Sequence, residues 1–187
     1  DDKMSNITKK AMAQSLKKLL QIKDLDKITI TDITNDCGIN RQTFYYHFKD
    51  IYDLLEWIFA NEVVEKIEKE TTIETWQENF RYVLNYMLKN KKFIIKTYNS
   101  LSRKTLLDFL FNQYNTIFIE IVEDLSKNYK ITKENKIFIA NFYKYGFAGI
   151  IENWIVTEMK ESPENIIKKL DVMISGSFRE AVKKMSN

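Results

Sequence analysis

Residues 29–54 have the sequence TITDITNDCGINRQTFYYHFKDIYDL, and this stretch decides the fold. Thr29 is followed three residues later by Asp32, a spacing close to that of a capping box, so we expect a short helix to begin there. Gly38 favours the left-handed conformation in which many helices end. Asn40 is a suitable N-cap for a second short helix. The stretch therefore predicts two short helices joined by a tight turn.

The second helix is expected over residues 41–47, and the pair then forms a helix-turn-helix motif at about 28–47. A small shared core is supplied by Ile33, Cys37, Ile39, Phe44 and Phe48. The side chains left facing solvent on the second helix are Arg41, Gln42, Thr43, Tyr45, Tyr46 and His47. Because these side-chain types bind base edges and phosphates, the motif is a candidate DNA-binding element.

Helical spacing of apolar residues continues on both sides of the motif. Longer helices are expected over about 6–21, 51–69, 75–88, 103–127 and 133–160, and a shorter one over about 91–99. Ser162 and Pro163 form a helix start signal, an N-cap followed by proline, for a last helix to about residue 184. The chain holds 4 Gly and 1 Pro in 187 residues, fewer than a turn-rich β fold uses. We therefore predict an all-α fold of about nine helices.

The single cysteine, Cys37, and the single histidine, His47, exclude several classes of site. One cysteine cannot form an intramolecular disulfide framework, and one cysteine with one histidine is too small a set for a typical zinc site. A Ser-His-acid or Cys-His enzyme would have to use His47, which lies on the outward side of the predicted helix. We therefore expect no catalytic residues, no metal and no cofactor, with a helical enzyme or scaffold as a remote alternative.

The positive charge of the chain is concentrated at its N-terminal end. Residues 3–49 carry nine Lys or Arg and four Asp, a net charge of +5, whereas residues 50–187 hold 20 charges of each sign. A basic N-terminal quarter on a neutral remainder favours binding of a polyanion at that end. Together with the helix-turn-helix, this favours double-stranded DNA as the partner.

We expect neither a membrane span nor a signal peptide. Residues 1–3 before Met4 resemble the end of a cleavable expression tag, and no secretion signal follows. The most apolar segment, residues 137–156, has 16 apolar or glycine residues out of 20 but includes Lys144 and Glu152. Each of these charges would cost about 2.5–3.5 kcal/mol near a bilayer centre. The expected location is the cytoplasm.

The same apolar segment predicts a dimer interface, because a helix that is apolar nearly all round is buried on two sides. Gly146 and Gly149 lie on one face, where they permit close approach of another helix, and Gly176 with Ser177 offers a similar patch on the last helix. The predicted interface between two copies, built from two helices of each, includes Gly146, Gly149, Ile150, Trp154, Met173 and Ser177. The alternative is a central helix in a monomeric bundle.

The stretch quoted first resembles the N-terminal helix-turn-helix of the TetR (tetracycline-repressor-like) family of bacterial regulators. That family has a Thr cap, an Ile-Ala pair, Ala-Gly-Val-Ser in the turn and a Tyr-x-His-Phe ending. Here Ile33 and Thr34 occupy the pair, residues 37–40 (CGIN) the turn, and residues 45–48 (YYHF) the ending. About 50 residues match closely, and the plan of nine helices matches in outline.

The resemblance implies a homodimer whose two recognition helices enter successive major grooves of a palindromic operator. It also implies a DNA-binding domain over residues 5–65 and a C-terminal effector-binding and dimerisation domain over residues 66–187. Most members of the family are repressors that a small-molecule effector releases from DNA. By matched position, phosphate contacts are expected from Thr29, Tyr45 and His47, with Asn40 close by. Contacts at or near base edges are expected from Arg41, Gln42, Thr43 and Tyr46.

Ile51 departs from the family pattern, because many members place a phosphate-contacting Lys at the start of the fourth helix. Lys49, two residues earlier, is the candidate substitute. The sequence RQTFYYHFKDIYDLLEWIF also resembles the branch that includes activators of dihydroxyacetone kinase operons, so activation is an alternative to repression. A further alternative is a regulator that responds to a protein co-regulator instead of a small molecule. The residues of an effector pocket stay unassigned, because the aromatic side chains are either its walls or plain core.

Overall fold

The computed structural model describes residues 2–63, 71–174 and 176–186, and all regular secondary structure in these residues is helical. The helices are α1 (Asp2–Leu19), α2 (Ile30–Cys37), α3 (Arg41–His47), α4 (Ile51–Glu62), α5 (Trp76–Lys89), α6 (Lys91–Tyr98), α7 (Arg103–Leu125), α8 (Lys133–Val156), α9 (Pro163–Ile174) and α10 (Ser177–Lys184). A 3-10 turn at Leu25–Lys27 lies between α1 and α2. The predicted all-α fold is confirmed.

The chain divides into two compact units. Unit 1 comprises residues 1–65 and 90–107, and unit 2 comprises residues 66–89 and 108–187. The predicted domains, residues 5–65 and 66–187, would place residues 90–107 in the C-terminal domain, whereas in the structure this segment, which contains α6, is part of unit 1.

Helix α2 begins directly after Thr29, its N-cap, because the side chains of Thr29 and Asp32 each accept a hydrogen bond from the other residue's backbone N–H. The Asp32 N–H donates to Thr29 Oγ1 over 3.1 Å, and the Thr29 N–H donates to Asp32 Oδ2 over 2.9 Å. This is the reciprocal arrangement of a capping box. Lys23 Nζ also donates to Asp32 Oδ1 over 2.9 Å. These hydrogen bonds lower the pKa of Asp32 from 3.8 to about 2, and the one from Lys23 has the largest effect, followed by those from Thr29.

The core of unit 1 fixes the three N-terminal helices to α4. Ile33 of α2 and Phe44 of α3 have no exposed surface, and they pack among buried side chains of α1 and α4. Those side chains are Met12, Leu16, Leu54, Leu55 and Ile58. A fully buried aliphatic or aromatic side chain contributes roughly 1.5–3 kcal/mol, so this core outweighs the weak intrinsic helicity of two such short helices.

The core of unit 2 is aromatic and is centred on Phe147 of α8. The ring centroids of Phe118, Phe80 and Trp76 lie 4.8, 5.2 and 5.5 Å from that of Phe147, and the Tyr114 centroid lies 6.4 Å away. These separations are those of packed aromatic pairs. Trp76, Tyr114 and Phe118 therefore all pack against Phe147.

Two helix boundaries differ from the prediction for reasons of backbone geometry. Helix α8 ends at Val156 rather than near residue 160, because Glu158 and Met159 adopt positive φ angles of 57° and 51°. The predicted last helix is divided into α9 and α10, and Gly176 at φ 86° precedes α10. The second half of the predicted fourth helix, residues 64–69, lies outside the described residues.

Helix α8 has two apolar faces. One contains Tyr143, Phe147 and Ile151 and is buried in unit 2. The other carries Phe138, Phe142, Tyr145 and Val156, which are between 59% and 69% exposed. Even so, none of the helices described within residues 2–186 is long and apolar enough to cross a membrane. The exposed apolar face of α8 therefore needs another explanation.

We predict that Asp32→Asn lowers the free energy of unfolding near pH 7, because it removes the ionised partner of Lys23 and Thr29. The folded pKa of Asp32 is depressed, so its contribution is present above about pH 4 and is lost as the pH falls towards 2. Urea unfolding of both proteins between pH 7 and pH 2 measures the difference. A gap between the two proteins that stays constant over this range would contradict the prediction.

The Tyr114 hydroxyl gives a second prediction, on stability. This group is buried and has no hydrogen-bond partner among the described residues, and its burial raises the pKa of Tyr114. Tyr114→Phe is expected to raise the free energy of unfolding by about 1 kcal/mol, because an unsatisfied buried hydroxyl is removed. The matched control is Tyr143→Phe, which loses a 3.1 Å hydrogen bond to Ser177 Oγ and should be destabilised by about 1 kcal/mol. Urea unfolding of both variants gives the result, and equal destabilisation would contradict it.

Candidate nucleic-acid interface

The turn between α2 and α3 has the geometry that the sequence predicted. Gly38 lies in the left-handed region at φ 66° and ψ 31°, and the Ile39 N–H donates to Thr34 O over 3.0 Å. Helix α3 then begins behind Asn40, whose Oδ1 accepts the Thr43 N–H over 2.8 Å and the Thr43 hydroxyl over 3.0 Å. The backbone of α3 is therefore held at its first turn by its own sequence.

Helix α3 has one inward and one outward side. Phe44 is buried in unit 1, while Arg41, Gln42, Tyr45 and Tyr46 are exposed. The exposed residues form two pairs one turn apart, 41 with 45 and 42 with 46, so they share one face of the helix. Tyr46 is the most exposed of the aromatic residues, at 83%. This face presents a guanidinium, an amide and two phenols to solvent.

Arg41 and Tyr45 make a loose contact on this face. The guanidinium carbon lies 6.0 Å from the centre of the Tyr45 ring, and Nη2 donates to the Tyr45 hydroxyl over 3.4 Å. The length of this hydrogen bond and the exposure of both side chains make the contact weak. Either side chain can therefore turn to another acceptor at little cost.

His47 lies at the end of α3 and is half-buried. Its Nδ1 is 3.5 Å from Ser5 Oγ on α1. The pKa of His47 is below its ordinary value of 6.5, mainly because the ring is partly buried and to a smaller extent because of the positive charge of Lys9. Near pH 7 the imidazole of the unbound chain is therefore mostly neutral, and one ring N–H can donate to a phosphate.

The remaining predicted contact residues lie at helix starts. Thr29 is exposed, although its side chain is engaged in the capping box. Lys49 is exposed, and its backbone N–H donates to Asp53 Oδ2 over 2.9 Å. Ile51, the first residue of α4, is half-buried. Its side chain has no donor, so at this helix start the only lysine close in sequence is Lys49.

Ser5 and Lys9 of α1 lie near His47, which the sequence did not predict. They lie 42 and 38 positions from His47, and no local spacing signal links them to it. Ser5 and Lys9 also line a cleft of about 310 Å³, together with Asn6, Trp57 and Asn61. Four of the five lining residues are polar, so the cleft suits water or a phosphate oxygen better than an apolar molecule.

The predicted interface residues of unit 2 do not all lie on its surface. The five that do are Gly146, Gly149, Ile150, Met173 and Ser177. Trp154 is a correction, because it is only 3% exposed and its Nε1 donates to Glu161 O over 2.8 Å. The apolar side chains that share the exposed face of α8 with the two glycines are instead Phe138, Phe142, Tyr145 and Val156.

Two features bear on metal binding and on nucleophilic chemistry. In the part of the chain that the structure describes, no group of three or more His, Cys, Asp or Glu side chains is arranged to hold a metal ion. Cys37 is half-buried, and burial raises the pKa of its thiol, as expected for a packed side chain rather than a nucleophile.

Known proteins resemble this chain over most of its length. A TetR-type family model described as "Transcriptional regulator C-terminal region" matches residues 74–176. The HTH-type dhaKLM operon transcriptional activator DhaS of Lactococcus lactis subsp. lactis (strain IL1403) is 29% identical over 156 residues, which are 82% of either chain. A solved structure of a dihydroxyacetone kinase operon activator DhaS superposes with a TM-score of 0.71 at 26% identity, covering 97% of this chain and 99% of its own.

A more distant solved structure shares the fold alone. It is native NalD, the secondary repressor of the MexAB-OprM multidrug efflux pump in Pseudomonas aeruginosa, with a TM-score of 0.50 at 14% identity over 97% of this chain and 98% of its own. The family match covers more than half of the 187 residues, and the relatives are transcriptional regulators rather than enzymes. The chain belongs to the TetR family of transcriptional regulators.

Proposed function

We propose that this chain is a homodimeric transcriptional regulator that binds a palindromic operator by inserting α3 into the major groove. The observation that carries the proposal is the outward face of α3. Arg41, Gln42, Tyr45 and Tyr46 lie exposed on a helix whose start is fixed by Asn40 and whose inner side is fixed by Phe44. A short helix held in this way, with polar side chains outward, is what a helix-turn-helix places against base edges.

Each residue of the face has a chemical role in the proposal. Arg41 donates to guanine and Gln42 binds adenine in bidentate fashion, each contact providing about 1–3 kcal/mol of discrimination. Arg41 is available because its contact with Tyr45 is weak. Tyr46 lies one turn from Gln42 and extends the same base-contacting face. Thr43 is half-buried, and its hydroxyl donates to Asn40 Oδ1, so in the proposal it lies near the base edges and supports the start of α3.

Phosphate contacts position the motif on the duplex. The proposed donors are the Thr29 and Tyr45 hydroxyls, the neutral His47 ring and the exposed Lys49 ammonium. The net charge of +5 on residues 3–49 supports them by attracting the polyanion over a longer range. Asn40 contributes less directly, because its Oδ1 is occupied by Thr43.

A second copy of the chain is the proposed occupant of the exposed face of α8. Phe138, Phe142, Tyr145 and Val156 lie there with Gly149, and Val172 and Met173 of α9 are more than 70% exposed. Exposed apolar side chains concentrated on a helix face mark interaction sites. An added Cβ at Gly146 or Gly149 would meet no atom within 4 Å in the single chain, so the space over the glycines is open to a partner helix.

The regulator is proposed to respond to a small-molecule effector bound in unit 2. The buried Tyr114 hydroxyl supports this part of the proposal, because it has no protein partner among the described residues and is a donor that a ligand would satisfy. The alternative is control by a protein co-regulator. The close packing of Trp76, Phe80 and Phe118 around Phe147 favours that alternative, since packed rings leave little space for a ligand.

Activation is the proposed direction of control. The two relatives described above at 29% and 26% identity are named activators, one of the dhaKLM operon and one of the dihydroxyacetone kinase operon. The repressor NalD shares 14% and supports only the fold. A dihydroxyacetone kinase operon is accordingly the first candidate target, and a binding site upstream of its promoter is the arrangement that activation requires.

Selection of bound genomic fragments, followed by a footprint on the best one, tests the proposed function. Two inverted half-sites about one helical turn apart are expected. Gln42→Ala is expected to lose about 1–3 kcal/mol of discrimination at one base pair in each half-site and to keep its salt dependence. Gln14→Ala, which removes an exposed amide from α1, serves as the control. Absence of any enriched sequence, or unchanged base preference in Gln42→Ala, would contradict the proposal.

The dimer is tested with Gly149→Glu. The helical backbone accepts the side chain without a clash in the single chain, but a charge in an apolar interface between two copies is strongly unfavourable. Sedimentation should show a monomer with unchanged helical content by circular dichroism. Asn112→Glu, on an exposed position of α7, is the matched control and should stay dimeric. A Gly149→Glu dimer of wild-type affinity would rule out this face as the interface.

A further inference from the structure

The polar cleft of about 310 Å³ described above lies between two helices of unit 1, and we call it the α1–α4 cleft. Its lining residues are Ser5, Asn6 and Lys9 of α1 and Trp57 and Asn61 of α4. These residues carry a hydroxyl, two amides, an ammonium group and an indole N–H, and none of them carries a carboxylate. The cleft therefore combines several hydrogen-bond donors with one positive charge.

Lys9 is the cation of this cleft, and it has no counter-charge. It is half-buried, and its ammonium group pairs with no carboxylate in the part of the chain that the structure describes. In contrast, Lys17 and Lys18 of the same helix pair with Glu62 and Asp36. A charge that is partly removed from water is unfavourable until an opposite charge lies beside it. An anion in the α1–α4 cleft would supply that charge.

The α1–α4 cleft adjoins His47 at the end of α3. Ser5 lines the cleft, and its Oγ lies 3.5 Å from His47 Nδ1. Partial burial and, after it, the positive charge of Lys9 lower the pKa of His47, so Lys9 acts on the imidazole as well as on the cleft. A phosphate group has several acceptor oxygens and a negative charge, so it can accept hydrogen bonds from this region and offset the charge of Lys9.

We propose that the α1–α4 cleft binds a phosphate group, with Lys9 as its counter-charge and with Ser5 and Asn6 as hydrogen-bond donors. Two sources supply this chemistry, namely a backbone phosphate of DNA and a free or small-molecule phosphate. The DNA source rests on the proposed function, because it requires a chain that binds an operator. In that case the cleft adds a backbone contact outside α3. The free source does not require an operator.

The salt dependence of operator affinity tests the DNA source. Each phosphate that a protein neutralises contributes about 0.9 to the slope of log affinity against log salt concentration. Lys9→Gln is therefore expected to reduce the magnitude of this slope by about 0.9 for each chain bound. Lys10→Gln is the matched control, because it removes the same charge from the neighbouring exposed position. The control should keep the wild-type slope.

The pKa of His47, measured by proton NMR without DNA, tests the free source. His47 is the single histidine of the chain, so its imidazole signals are identified without ambiguity. The measurement is made in sodium phosphate and in sodium chloride of equal ionic strength. Inorganic phosphate in the cleft is expected to raise the pKa of His47, because its negative charge offsets that of Lys9.

Further variants separate the site from overall charge and from folding. Asn6→Asp adds a carboxylate to the cleft lining and should abolish the response to inorganic phosphate. Gln14→Glu makes the same change of charge at an exposed position of α1 outside the cleft and should keep the response. Lys9→Arg keeps the positive charge and should keep the wild-type slope. Because Asn6 is exposed, Asn6→Asp also tests the site if Lys9→Gln does not fold.

The outcomes identify the source of the phosphate or overturn the site. A smaller slope in Lys9→Gln alone supports a backbone phosphate of DNA, and a raised pKa of His47 in inorganic phosphate supports a free phosphate. The site is overturned if inorganic phosphate leaves this pKa unchanged and Lys9→Gln changes the slope no more than Lys10→Gln does. If the wild-type chain binds no operator, the proposed function fails, and the phosphate measurement alone decides the site.

Discussion

The capping of two short helices is the constraint on which the rest of this structure depends. Helices α2 and α3 have eight and seven residues, too few to be stable alone in water. Thr29 with Asp32 fixes the start of one, and Asn40 fixes the start of the other. With both starts fixed, burial of Phe44 determines which side of α3 faces outward. The outward surface of α3 is thus a consequence of the caps and of the buried core.

Features governed by neighbouring residues could be predicted from the sequence, and features governed by distant residues could not. The caps at Thr29 and Asn40 and the left-handed Gly38 each depend on residues within three positions, and all three are as predicted. The Lys92–Gln21 hydrogen bond and the Ser5–His47 contact join residues 71 and 42 positions apart, for which the chain carries no local signal. The sequence also showed that α8 has two apolar faces, but it did not assign Trp154 to the buried one.

Helix α8 shows how one helix can serve two cores. Its inner face supplies Phe147 to an aromatic cluster that needs no partner chain. Its outer face leaves Phe138, Phe142 and Tyr145 in water, and each aromatic side chain of this kind can bury roughly 150–250 Å². Leaving such a surface exposed is unfavourable, and two glycines on the same face permit close helix approach. The proposed dimer relieves this cost without altering the inner core.

Buried apolar side chains hold all the helices of unit 1 together. Within the helix-turn-helix and α4, the links are fully buried apolar side chains, which move together or not at all. Helix α6 joins the same body, because Phe93 and Ile94 are almost fully buried and the ring centroids of Phe93 and Phe59 lie 5.6 Å apart. The hydrogen bonds from Lys92 and Lys96 to the segment after α1 add to this packing. Any displacement of α6 is therefore expected to move α4 and the two short helices with it.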